Sequence, residues 1–91
     1  VRQMINQSIQ HFGKLDILVN NAGLERHASF WAITEEDYDA VMNVNIKGAF
    51  FATQEMVKHL IATQRRGKII NISSVHEELP FPNFTAYCVS K

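Results

Sequence analysis

Apolar residues recur at helical spacing over the first dozen positions: Val1, Met4, Ile5, Ile9 and Phe12 fall in phase with Ser8, and Gly13 follows as a stop. This predicts an amphipathic helix. Leu15 to Val19 then forms a short apolar run broken only by Asp16, and the chain turns polar at Asn20-Asn21. A second run, Lys68 to Ile72, follows Gly67 and ends in Ser73-Ser74. Runs this short, rich in Ile and Val and apolar on both faces, predict strands of a parallel sheet covered on two sides. Between them the helical period returns. Thr34-Glu35-Glu36-Asp37 makes a cap with three acids in the first turn, where the helix dipole favours them. Tyr38, Val41, Met42, Ala49, Ala52, Met56 and Leu60 then keep one face, and Gly67 closes the region. Strand, long helix, strand is the crossover unit of a parallel sheet, almost always right-handed. The fold class is therefore α/β: two parallel strands with their crossover helix, part of a doubly wound parallel sheet.

In such a unit both polar strand exits lie on one edge, and ligands of open α/β sheets sit at that carboxyl edge. Asn20 to Gly23 and Ser73 to His76 are thus expected to face a common crevice. Asn20-Asn21-Ala22-Gly23 offers two turn-forming amides, a small residue and a residue able to take positive φ. It reads either as a plain strand-to-loop turn or as a segment whose small side chains let backbone approach a flat cofactor. Asn45 lies seven residues after Tyr38 and four before Ala49, which puts an amide on the apolar face of the long helix. A buried amide without partners costs several kcal/mol, so it must find some. Two readings stand: a core asparagine bonding loop backbone, or an amide that opens the helix locally and anchors a water leading to the active site. Gly48, just beyond, is compatible with such a kink.

A second stripe on the same helix, Val44, Phe50, Phe51, Val57 and Ile61, falls away from the Asn45 face. The helix is apolar nearly all round, more than a monomer should expose.

Composition changes little. The 91 residues are 46% apolar and 20% charged, which is ordinary globular material of at most one domain. Zero formal net charge gives no electrostatic reason to expect nucleic acid or an anionic membrane as partner. Arg65-Arg66 with Lys68 reads as a solvated turn. The single cysteine, Cys88, excludes an internal disulfide and lacks metal-ligand spacing. With no signal peptide or spanning apolar stretch in view, a reducing, cytosolic setting is expected.

Candidate chemistry gathers at the end of the chain. Tyr87 and Lys91 are one helical turn apart, so phenol and ammonium share a face. A free tyrosine, with a pKa near ~10, makes no useful base at neutral pH, and a fixed neighbouring cation favours the phenolate. Lowering that value to about 7 takes roughly 4 kcal/mol, within reach of one lysine and a hydroxyl donor in a partly dry site.

Taken in order, Asn20-Asn21-Ala22-Gly23, Asn45, Ser74, Tyr87 thirteen residues later, and Lys91 resemble the short-chain dehydrogenase/reductase family over essentially all of the chain. The resemblance implies a Rossmann-type fold and an oxidoreductase that interconverts an alcohol and a carbonyl with NAD or NADP. It implies Tyr87 as general acid/base, Ser74 as hydrogen-bond partner of the reacting oxygen, and Lys91 as the group that tunes the phenol and holds the nicotinamide ribose. Asn45 would support a proton-relay water, and Asn20, Ala22 and Gly23 would shape the cofactor cleft. Ser73 is the lesser candidate, because the thirteen-residue spacing selects Ser74. The resemblance also implies a homo-oligomer, with the apolar helix packed on its copy in a dimer within a tetramer; burial under further parts of the domain is the alternative. More narrowly, Asn20 to Glu25 and Ser73 to Pro82 resemble bacterial glucose 1-dehydrogenases. There Glu25 and His76 would meet a polyhydroxylated substrate, unless both are solvated loop residues. Rival readings are another short-chain carbonyl reductase, such as a 3-ketoacyl reductase, and a non-catalytic cofactor-binding scaffold of the same fold.

The family's glycine-rich pyrophosphate loop, its NAD/NADP-selecting residue and its substrate loop are not among these residues. The 91 residues are thus expected to be the central part of a single NAD(P)-binding domain. By itself this piece is expected to fold poorly and to be inactive.

Overall fold

The computed structural model describes residues 1–91. Along the chain run α1 (Arg2–Phe12), β1 (Ile17–Asn20), α2 (Glu35–Met42), α3 (Ala49–Thr63), β2 (Lys68–Asn71) and α4 (Thr85–Ser90). A π-helical stretch, Asn43–Gly48, stands between α2 and α3, and short 3-10 turns form at Phe30–Ala32 and Val75–Glu77. The α/β pattern is as the apolar periods predict. Two compact units result, residues 1–21 with 48–72 and residues 22–47 with 73–91.

The first unit holds the sheet. β1 and β2 pair in parallel, Ile17 opposite Lys68 through Asn20 opposite Asn71. Lys68 N donates to Asp16 O (2.8 Å) and Ile72 N to Asn20 O (3.1 Å), so the polar ends of both strands leave from one edge. Alternation sets the faces: Leu18 and Asn20 turn inward, and Asn20 reaches Thr53 of α3. Ile17, Val19 and Ile70 remain exposed. The expected two-sided cover is therefore one-sided in this chain, because a single crossover helix lies on one face of the sheet.

Helix α1 ends where glycine predicts, with Gly13 at φ 85 and its N–H on Ile9 O (2.7 Å). Its buried contribution is Ile5, which meets the α3 side together with Ala52 and the fully buried Met56. Arg2 lies 4.4 Å above the Phe51 ring and 4.0 Å from Glu55 Oε1, while Lys58 approaches the same oxygen at 3.3 Å. Two cations thus offset the desolvation of the buried Glu55 carboxylate. Of the second apolar stripe, Phe51 is partly covered by this arrangement; Val44, Phe50, Val57 and Ile61 are exposed.

Helix α3 stops at Thr63, short of Gly67. Gln64 takes the left-handed conformation (φ 53), its N–H bonds Ile61 O, and Arg65 N–H bonds Leu60 O (3.0 Å). This crossed pair satisfies the last carbonyls without glycine. Gly67 serves another need. A Cβ there would lie 2.8 Å from Leu60 Cδ1 and 3.0 Å from Asp16 O, the carbonyl that starts the strand pairing. In the full-length protein, Gly67→Ala is expected to lower stability by about 1–3 kcal/mol in denaturant titration, because Leu60 can swing away and the Asp16 carbonyl cannot.

The second unit packs α2 against α4, burying Val41 and Ala86. Thr34 caps α2 as expected, its Oγ1 accepting from Asp37 N–H (3.1 Å). Ala28 N–H bonds the carbonyl of Asn83, a residue at φ 66, and Arg26 pairs with Asp37 at 3.7 Å.

Candidate active site

The helix is opened where Asn45 stands. In π geometry backbone bonds reach one residue further than in an α-helix, so the coil widens locally. Asn45, half-buried, uses the opening to bond loop backbone: Oδ1 accepts from Leu24 N–H (2.7 Å), and Nδ2 donates to Leu24 O (2.9 Å) and to Ser90 Oγ (2.8 Å). Donor faces acceptor at every contact, which fixes the amide's orientation. Both structural features weighed for this residue are present at once, the loop bonds and the opened helix.

Beyond β2 the two serines part company. Ser74 has extended backbone (φ −155, ψ 155), and its Oγ accepts from His76 N–H (3.2 Å), capping the turn Val75–Glu77. Its hydroxyl hydrogen is left to donate elsewhere. Ser73 Oγ instead donates to the Glu77 carboxylate. The two neighbouring hydroxyls thus have different local partners.

His76 is half-buried. Its Nδ1 lies 3.1 Å from Leu79 O, which can only accept, so that nitrogen carries a proton. The ring packs against Phe81 (4.4 Å), Phe84 (5.4 Å) and, edge-on, Tyr87 (5.8 Å). Glu25 pairs with His27 Nε2 at 3.5 Å, and the His27 ring tilts onto Phe84 at 4.2 Å. Phe84 therefore touches both imidazoles.

Tyr87 and Lys91 meet over one turn. Lys91 Nζ stands 5.7 Å from the centre of the Tyr87 ring, within cation–π range, and Lys91 N–H bonds Tyr87 O (3.1 Å). Both are half-buried.

Asn20 spends its amide on the sheet, donating to Asn71 Oδ1 (2.8 Å) and Thr53 Oγ1 (3.1 Å), so it braces the strand exit. Ala22 and Gly23 follow, both exposed. Left-handed backbone occurs at Gly13, Gln64 and Asn83. What Gly23 offers is its missing side chain rather than a positive φ.

Sequence reading missed Ser90, Asn71, Phe84 and the Asn83 carbonyl. Ser90 sits three residues after Tyr87, a spacing at which a serine bonds back to a helix carbonyl, and that was the available signal. Its tie to Asn45, 45 positions away, has no local signature.

Two parallel strands joined through a crossover helix are the arrangement of a Rossmann-type α/β fold. The family model described as short chain dehydrogenase matches residues 1–91, and the chain belongs to the short-chain dehydrogenase family. It is 44% identical over 91 residues to a 3-oxoacyl-[acyl-carrier-protein] reductase of Thermotoga maritima, covering 100% of this chain and 37% of that protein. With the 2-dehydro-3-deoxy-D-gluconate 5-dehydrogenase of Escherichia coli it shares 44% over 86 residues, 91% of this chain and 34% of the relative. It superposes with TM-score 0.91 and 42% identity on a crystal structure of a gluconate 5-dehydrogenase from Burkholderia cenocepacia in complex with NADP and tartrate, over 99% of this chain and 35% of that one. The chain thus spans about a third of the length of the curated relatives it matches.

Proposed function

We propose that the full-length protein carrying this chain is an NAD(P)-dependent oxidoreductase interconverting an alcohol and a carbonyl, and that residues 1–91 are the central part of its single nucleotide-binding domain. The observation that carries this reading is the Tyr87–Lys91 contact on one helical turn, with the Ser74 hydroxyl hydrogen uncommitted. In this reading the Tyr87 hydroxyl exchanges a proton with the substrate oxygen, Ser74 hydrogen-bonds that oxygen, and Lys91 places positive charge beside the phenol. Asn45 holds the Leu24 loop and the opened helix, and its site supports the relay water. The residues present suit a nicotinamide cofactor: Ala22 and Gly23 leave exposed backbone for a flat ring to approach, and Tyr87 and Lys91 offer a hydroxyl and an ammonium to its ribose. When bound, NAD or NADP supplies or accepts the hydride.

For the substrate, polyhydroxylated sugars and sugar acids are the first reading, supported by the gluconate-type relatives and by the polar groups of Glu25 and His27. A 3-oxoacyl thioester is the second, supported by the Thermotoga maritima relative. The narrower expectation of glucose oxidised to its lactone rests on the His76-Glu77 segment, where Glu77 is bonded to Ser73 and His76 is packed among rings. It is therefore one member of the wider class. Assay of the full-length protein with gluconate, glucose and a 3-oxoacyl thioester decides among them. Fastest turnover is expected on gluconate-type polyols; activity confined to the thioester selects the second reading, and turnover of none selects a cofactor-binding scaffold.

The exposed Phe50, Val57 and Ile61 stripe supports a homotetramer built through α3. No helix is long and apolar enough to cross a membrane. A cytoplasmic site belongs to the same proposal.

A further inference from the structure

We infer that Ser90 is a positioning residue for the reaction: its hydroxyl couples the Asn45 amide to the helical turn that bears Tyr87 and Lys91. This rests on the alcohol–carbonyl reading and adds to it the residue that aims its acid/base. Ser90 Oγ donates to Tyr87 O at 2.7 Å, a local bond common for serine in helices. The second bond is not local. Ser90 Oγ accepts from Asn45 Nδ2 at 2.8 Å, across 45 positions of sequence. A hydroxyl has one hydrogen; with that hydrogen on the Tyr87 carbonyl, a lone pair is left to take the amide.

The bonds form a run from the Leu24 backbone through Asn45 and Ser90 to the Tyr87 carbonyl. The same carbonyl takes Lys91 N–H at 3.1 Å. Both of its acceptor sites are thus engaged, one by the residue that carries the ammonium and one by a residue clamped to Asn45. Backbone bonds within a helix close a turn, and they leave open how that helix is rotated about its axis. The Ser90 tether settles that rotation. It sets where the Tyr87 hydroxyl and Lys91 ammonium point relative to the Leu24 loop. Misplacing a reacting group by about 1 Å can cost on the order of 10²-fold in rate, so a tether of this kind acts on turnover before it acts on affinity.

The test uses the full-length protein with Ser90→Ala, Ser90→Cys and Ser90→Thr, and Tyr87→Phe as control. Steady-state kinetics on the substrate that turns over are expected to show kcat about tenfold lower in the alanine and cysteine variants at unchanged KM. Threonine, which keeps the hydroxyl, restores it. Should the alanine variant fail to fold, the near-isosteric cysteine carries the comparison. Amide hydrogen exchange over residues 87–91 gives a second readout independent of turnover: faster in the cysteine variant, unchanged in the threonine one. Wild-type kcat and wild-type exchange in Ser90→Cys, or a threonine variant as slow as alanine, overturn the inference. Full activity in Tyr87→Phe would instead sink the alcohol–carbonyl reading, so the two failures are separable.

Discussion

Tyr87→Phe in the full-length protein is expected to lower turnover by about 10² to 10⁴-fold while the fold persists. The reason lies in which contacts the substitution spares. Lys91 stands over the ring, and His76 and Phe84 meet the ring at 5.8 and 6.4 Å. All of these survive in phenylalanine. Only the hydroxyl goes, and with it the group proposed to exchange a proton with the substrate. Steady-state kinetics alongside thermal unfolding separates the two effects. A variant that keeps more than about a fifth of wild-type turnover contradicts the assignment, since loss of a proton-transfer group costs far more than that.

The second large effect is structural. Asn45→Ala removes three bonds of 2.7 to 2.9 Å and leaves the Leu24 N–H and carbonyl without their partner. At about 1 kcal/mol for each bond, with a further penalty for groups left unpaired, the expected loss is about 3–5 kcal/mol in denaturant titration. Asn45→Asp sharpens the point. The carboxylate can still accept from Leu24 N–H, yet it has no hydrogen for Leu24 O or for Ser90 Oγ, and it sets negative charge against a carbonyl oxygen. Its loss is expected to match that of alanine although its shape is that of asparagine. If the aspartate variant were as stable as wild type, the clamp would not be what holds the Leu24 loop.

Much of this was legible from residue order. The helix stop at Gly13, the Thr34 cap and the two short strands follow from local chemistry that a few neighbours decide. The one-turn meeting of Tyr87 and Lys91 follows from helix geometry alone. That an amide on an apolar face needs partners was legible at Asn45, with the opened helix one of two readings; that those partners would be Leu24 and Ser90 depends on how distant segments come together. The α3 terminus was misplaced because Gln64, a residue with a Cβ, takes the left-handed conformation usually left to glycine. Gly67 answers instead to crowding by Asp16 and Leu60. His76 was expected as a polar loop group, and the structure gives it an aromatic surround of Phe81, Phe84 and Tyr87. Pairwise ring contacts of this kind arise from the fold of the loop and carry no periodic signal.

The central claim is that Tyr87 and Ser74 act on one substrate oxygen. A crystal structure of the full-length protein with NAD(P) and a bound alcohol or carbonyl tests it most directly. The account predicts the Tyr87 hydroxyl and Ser74 Oγ both within about 2.6–3.2 Å of that oxygen, with Lys91 beside the phenol. A substrate oxygen held by other groups, with Tyr87 and Ser74 turned away from it, would contradict the account.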